Sequence, residues 1–217
     1  MVKKLSTEKI TVALPKGRLF EQTISIFNQC GILNEKPSQD SRKLILETED
    51  FNFLLVRAKD VPTYVEYGVA DIGVAGDDVL LEMKPDVYRP VDLGIGVCTI
   101  MVAGLPEDKE KYFANPTLLK IATKYPNIAK DFFGEKGIKV QIIELYGSIE
   151  LAPLVGLADF IVDIVETGRT LKENGLVVIE EIRPSSAKLI VNRASYKTKN
   201  EKVMSIIEKL ENMLVKG

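Results

Sequence analysis

The sequence contains no histidine. That absence removes Ser–His–Asp triads, imidazole acid–base chemistry and histidine-ligated metal sites. Only two cysteines occur, Cys30 and Cys98, each inside an apolar stretch. Two distant thiols cannot build a structural zinc site, and they read as buried free thiols of a reducing compartment. No basic stripe with interleaved aromatics is present, and 29 basic against 31 acidic side chains leave a net charge of −2. Both features argue against a nucleic-acid partner. No apolar run reaches the roughly 20 residues of a membrane span. The opening MVKKLSTEKI has basic residues but lacks the apolar segment of a signal peptide. A cytoplasmic chain without membrane association is expected. Its chemistry must rest on Asp, Glu, Lys, Arg, hydroxyls and backbone amides.

What is present is enough apolar sequence, 46% of 217 residues, to bury a sizeable core. Short β-branched runs alternate with helical patterns. ITVAL (10–14) reads as a strand and 19–30 as a helix stopped by Gly31. Residues 42–49 and 51–57 alternate at period two, as a hairpin does. Asp60 stands as the N-cap of a helix that has Pro62 near its start and ends at Gly68. ADIGVAG (70–76) predicts a strand, followed by a helix at 77–83. Further strands are expected at KIATKY, KVQIIEL and ADFIVDIV, with helices at 127–136 and at 148–155, the latter capped by Ser148. LVVIEEIR and AKLIVNR read as the last strands. The alternation predicts an α/β fold with largely parallel sheets.

GVADIGVAGDDVLLE (68–82) is echoed by GLADFIVDIVETGRTLKE (156–173). In both, a helix ends in glycine and a strand follows, then an acidic loop and another helix. The echo predicts two similar α/β lobes: 1–93 with 181–217, and 94–180. The ligand site is expected in the cleft between them, where helix starts and strand ends converge.

The loops after strands carry the candidate chemistry. In DFIVDIVETGRTL (159–171) an apolar strand takes in Asp163 and opens into Glu166-Thr167-Gly168-Arg169-Thr170. Gly168 permits a tight turn and close ligand approach. The amides and threonine hydroxyls of such a loop form a phosphate cradle. Asp163 and Glu166 would repel a phosphate but suit sugar hydroxyls, or a metal ion bridging phosphates. The plain alternative is a solvated turn with Arg169 pointing into solvent. Lys16, Gly17 and Arg18 follow the first strand and suit a polyphosphate, or else form a basic helix start on the surface. Arg57 leaves the strand LLVR as a phosphate clamp or an ion-pair partner. Asp77 and Asp78 either cap their helix or meet a ribose or amino group. Glu150 lies in the first turn after Ser148, and Thr123 with Lys124 forms a second cationic loop. Residue chemistry alone stops at the binding of phosphorylated small molecules, with Mg2+.

The segment 150–171, ELAPLVGLADFIVDIVETGRTL, resembles the signature of the ATP phosphoribosyltransferases. LPKGR (14–18), VRAKDVPTYVEYGVADIGVAGDDVL (56–80), IATKYPN (121–127) and GSIELAP (147–153) are similar to that family in order, so the resemblance spans nearly the whole chain. It implies two lobes like those of a type II periplasmic binding protein. It also implies transfer of phosphoribosyl from phosphoribosyl pyrophosphate (PRPP) to N1 of the adenine of ATP, with Mg2+ carried mainly by substrate phosphates. Under it, Asp163, Glu166, Thr167, Gly168, Arg169 and Thr170 bind PRPP. Lys16, Gly17, Arg18, Arg57 and Asp77 bind ATP, and Lys16, Arg57 and Glu150 are the catalytic candidates.

The chain ends on an amphipathic helix with Val203, Ile206, Ile207, Leu210 and Leu214 on one face, where long-form members carry a further domain. The short form implies a histidyl-tRNA-synthetase-like regulatory subunit, a hetero-octamer and a homodimer within it. A cytoplasmic solute receptor of the same fold, and a phosphoribosyltransferase acting on another base, are the rival readings.

Overall fold

The computed structural model describes residues 8–34, 37, 43–114 and 118–216. The strands in chain order are β1 (Ile10–Pro15), β2 (Ile45–Glu47), β3 (Phe51–Val56), β4 (Ile72–Gly76), β5 (Tyr88–Asp92), β6 (Cys98–Gly104), β7 (Leu119–Thr123), β8 (Val140–Glu144), β9 (Phe160–Val165), β10 (Val177–Ser185) and β11 (Ala187–Val191). The helices are α1 (Arg18–Gln29), α2 (Val61–Glu66), α3 (Asp77–Met83), α4 (Lys109–Phe113), α5 (Pro126–Glu135), α6 (Leu151–Leu154), α7 (Arg169–Glu173), α8 (Arg193–Thr198) and α9 (Asn200–Lys216). The chain divides into two compact units, one of 97–185 and one formed by the chain on either side of it.

In the first unit the sheet order is β2-β3-β1-β4-β11-β5. β1 is buried along its whole length, as a strand covered on both faces must be, which explains an apolar sequence interrupted only by Thr11. Phe27 of α1, Phe53 of β3 and Leu189 of β11 meet in one core, fully closed to solvent. α9 packs into that same core through Val203, Ile206, Ile207 and Leu210, each burial contributing roughly 1.5–3 kcal/mol. Leu214 departs from the expected face and stays 37% exposed. The hairpin of β2 and β3 forms from Ile45 onward, and residue 42 of its expected first strand lies outside the described residues.

In the second unit the order is β10-β6-β9-β7-β8. Read from its other end it repeats the first: β8-β7-β9-β6-β10 matches β3-β1-β4-β11-β5. In each, three strands run parallel, and the strand beside them and the next run antiparallel. The sheets are therefore mixed rather than largely parallel. The links between the units are short, residues 93–97 between β5 and β6 and residue 186 between β10 and β11.

The sequence echo marks corresponding positions. Gly68 and Gly156 both take φ 71 before their strands. The aspartate after each Ala then clamps the neighbouring parallel strand. The N–H of Asp71 donates to Thr11 O at 2.8 Å, and its Oδ2 accepts from the N–H of Thr11 at 2.8 Å. Asp159 does the same with Lys120, at 2.8 and 2.7 Å. A lysine completes each clamp, Lys199 at 2.7 Å and Lys111 at 2.5 Å. Both aspartates lie at the strand starts, which assigns them to the fold.

Three expected details change. Asp60 holds the N-cap position of α2 without a side-chain capping bond, because a 3-10 turn at Ala58–Asp60 already runs into the helix. The helix expected at 148–155 shrinks to α6. Ser148 takes φ 47 and precedes Glu150, which occupies the cap position. Cys30 and Cys98 form no disulfide and are half-buried rather than buried. Burial pushes the Cys30 thiol upward, with Lys209 pulling it back.

Candidate active site

β9 delivers the chain from the sheet into the loop that begins at Glu166. Asp163, third from the end of this strand, has a side chain only 13% exposed. Its Oδ1 lies 3.0 Å from Nζ of Lys124 and accepts the N–H of Ile164 at 2.7 Å. Burial drives its carboxyl above the ordinary range, Lys124 pulls it down, and the nearby charge of Glu150 adds to the upward push. Asp163, Lys124 and Glu150 therefore form one electrostatic cluster on this unit.

The loop itself is built as a turn. Gly168 takes φ 71, ψ 2 at the head of α7. This left-handed geometry is costly for residues with a Cβ. A Cβ there would meet only Val165 Cγ1, at 3.9 Å, so conformation rather than space explains the glycine. Thr167 Oγ1 accepts the N–H of Arg169 at 3.4 Å. Glu166, Thr167, Arg169 and Thr170 are exposed. α7 has five residues, so the turn's amides rather than a long helix dipole define what an anion meets there. Arg169 donates from Nε to Glu173 Oε1 at 2.7 Å, and the pair lies on the surface, 82% and 59% exposed.

The expected second cationic loop is not one. Thr123 is fully buried, its hydroxyl donating to Val162 O at 2.6 Å and accepting from the N–H of Tyr125 at 2.9 Å. Lys124 is committed to Asp163 and lies over the Tyr125 ring, 5.2 Å from its centroid.

On the other unit, Gly17 takes φ 88, ψ −146 between β1 and α1, a backbone state essentially reserved for glycine. It turns Lys16 and Arg18 to the surface at the C-terminal end of β1. Arg57 leaves β3 exposed, in extended geometry, and no ion pair engages it among the described residues. The C-terminal ends of β1, β3 and β4 therefore present Lys16, Arg57 and Asp77 in turn. Asp77 starts α3 with its N–H on Ser186 O at 2.9 Å and its carboxylate 3.9 Å from Arg89. Asp78 folds back beneath Gly76, where a Cβ would lie 2.2 Å from its Oδ1, and is buried.

No group of three or more Asp, Glu or Cys among the described residues converges to hold a metal ion. No described helix is long and apolar enough to cross a membrane.

A family model described as ATP phosphoribosyltransferase matches residues 57–212. The chain belongs to the ATP phosphoribosyltransferase family. An ATP phosphoribosyltransferase of Aquifex aeolicus is 58% identical over 93% of both chains. One of Caldanaerobacter subterraneus is 54% identical over 96% of this chain and 99% of its own. Among solved structures, the ATP phosphoribosyl transferase (HisG:HisZ) complex from Thermotoga maritima superposes with a TM-score of 0.78 at 39% identity, covering 96% of this chain and all of that one. The aliphatic sulphonate binding protein SsuA from Escherichia coli, with a TM-score of 0.62 at 13% identity over 95% of this chain and 72% of that one, shares the fold alone. The family fold is thus the two-lobed, type II periplasmic-binding-protein-like one. Family membership adds no residue roles. The geometry moves Lys124 from the expected cationic loop to Asp163, and it adds the Asp71 and Asp159 clamps, which the sequence-based site lacked. Asp163 itself was the available signal for Lys124, because a carboxylate inside an apolar strand needs a cation from a neighbouring one.

Proposed function

We infer that the chain catalyses its family's reaction, transfer of 5-phosphoribosyl from PRPP to N1 of the adenine of ATP. The products are N1-(5-phosphoribosyl)-ATP and pyrophosphate, at the first step of histidine biosynthesis. The observation that carries the assignment is the 58% identity over nearly the full length. The site residues follow as our own reading. The unit 97–185 is the PRPP side, with the 5′-phosphate at Thr167–Thr170 and the ribose hydroxyls on Asp163 and Glu166. The turned backbone at Gly168 and the one-sided engagement of Asp163 support this. The other unit is the nucleotide side, through Lys16, Gly17, Arg18, Arg57 and Asp77. Arg57, exposed and without an ion pair among the described residues, supports it. Arg57 and Lys16 stabilise charge on the departing pyrophosphate, and Glu150 shapes the field around the ribose.

Such a transfer asks little of acid–base groups. Adenine N1 already holds a lone pair, and the transition state resembles an oxocarbenium ion. Catalysis is then positioning plus charge stabilisation, which a chain without histidine can supply. A bound magnesium ion would supply charge neutralisation on the donor's pyrophosphate. Such an ion characteristically keeps waters and phosphate oxygens and needs few protein ligands.

A synthetase-like regulatory subunit in a hetero-octamer, with a homodimer of this chain inside it, is the assembly we propose, on the likeness to the Thermotoga complex. We place the reaction in the cytoplasm, with two thiols outside any disulfide in support. Incubation of the chain and that subunit with ATP, PRPP and Mg2+ should release pyrophosphate and form an N1-substituted adenine nucleotide. Absence of both products would refute the assignment.

A further inference from the structure

We propose that Lys124 is a positioning residue for the phosphoribosyl donor: it fixes the Asp163 carboxylate through Oδ1 so that Oδ2 faces a ribose hydroxyl. The inference rests on the reading of Asp163 as a donor contact. Three observations carry it. The first is division of labour within one carboxylate. Oδ1 is occupied twice, by Lys124 Nζ at 3.0 Å and by the Ile164 N–H at 2.7 Å, whereas Oδ2 has no hydrogen-bond partner among the described residues. A buried carboxylate with one oxygen saturated and the other open is held in one rotamer and offers one acceptor direction.

The second observation is that Lys124 is itself held. It follows β7, which pairs with β9 in parallel through Thr123 and Val162, and the Thr123 hydroxyl bonds across to Val162 O at 2.6 Å. Its ammonium lies over the Tyr125 ring, and its side chain is 27% exposed. A lysine with this little freedom acts as a fixed post rather than a mobile surface charge.

Third, the charges around Asp163 leave Lys124 as the group that keeps it anionic. Met101 on β6 lies opposite and is uncharged, and Glu150 before α6 works against ionisation. Without Lys124 the carboxyl would be buried beside another acid. A free rotamer would then cost donor affinity, because an acceptor placed at random must be ordered on binding.

The test is a double-mutant cycle in steady-state assays of the full chain with its regulatory subunit. Lys124→Met should raise the KM for PRPP at least about tenfold and leave the KM for ATP within about twofold. Lys124→Arg should restore most of the loss. Asp163→Asn should also raise the KM for PRPP, and the double variant should be no worse than Asp163→Asn alone. Should Lys124→Met fail to fold because it strands a buried charge, the double variant removes both charges and still gives the comparison. Additive effects, an unchanged KM for PRPP in Lys124→Met, or an equal rise for ATP would overturn the proposal. If Asp163→Asn itself leaves the KM for PRPP unchanged, it is the donor reading of Asp163 that fails.

Discussion

Replacement of Gly168 by valine separates a phosphate-binding turn from an ordinary one. At φ 71 a side chain suffers backbone strain of roughly 1–2 kcal/mol, and a β-branched one suffers more. The strain has no steric companion, since the new Cβ would find only Val165 Cγ1 at 3.9 Å. α7 is anchored downstream by buried Leu171, whose carbonyl accepts the N–H of Leu176 at 2.9 Å. The cheapest relief is therefore a local change of the 166–168 backbone, which turns its amides away from their present direction. The donor must reverse that change to bind. Strain of about 1–2 kcal/mol then becomes a roughly 5- to 30-fold rise in the KM for PRPP. The valine methyls on the binding side add to it. Thermal stability should fall by only a few degrees, at about 2–4 °C per kcal/mol for a chain of this size. Gly168→Asn, whose side chain tolerates the left-handed region, should lie between wild type and valine. Steady-state kinetics at saturating ATP, beside a melting curve, make the measurement. A valine variant with unchanged PRPP dependence, or one whose ATP dependence rises equally, would refute the cradle.

Arg57→Ala should lower turnover by about 10²-fold, the scale for losing one charge-stabilising donor, while the melting temperature stays nearly constant. The side chain is exposed and its structural bond, the carbonyl accepting the Asp60 N–H at 2.9 Å, belongs to the backbone; an unchanged turnover number would remove Arg57 from the site. Acid should destabilise the 97–185 unit. Burial opposes ionisation of Asp159 and Glu180, but the Lys111 ammonium with the Lys120 N–H, and the Lys136 ammonium with the Tyr112 hydroxyl, outweigh it and hold both carboxyls below their ordinary range. Their stabilisation is complete above the unfolded carboxylate pKa of about 4 and is lost as pH falls through the lower folded values. Melting temperature should therefore drop as pH falls below about 4, less steeply in Asp159→Asn; an identical slope in that variant would sink the assignment to this pair.

The alternation of elements was legible because its signals are local. Gly31, Gly68 and Gly156 each end a segment by taking positive φ, and apolar runs such as ITVAL need no distant information to be read as strands. The repeat was legible for the same reason. Ala70-Asp71 and Ala158-Asp159 sit at equal distances from their glycines, and the structure gives the two aspartates identical bonds to a neighbouring strand. Strand direction was not legible. β11 runs against β4, and nothing within AKLIVNR encodes that direction.

The site divides along the same line between local and distant information. Gly17 and Gly168 announce their turns, because only glycine sits comfortably at φ 88 and φ 71. Glu150 and Lys124 could be placed in loops but not assigned to Asp163, since their meeting requires β7 and β9 to be neighbours in the sheet. Once that order is known, the chemistry becomes predictive. Asp163 cannot remain ionised inside β9 without a cation, and β7 is the parallel neighbour whose C-terminal end runs directly into a lysine. A carboxylate in an apolar strand is thus a statement about the adjacent strand as much as about a ligand. The ligand reading gains weight only because, among the described residues, one of its two oxygens is still open after the lysine has taken the other.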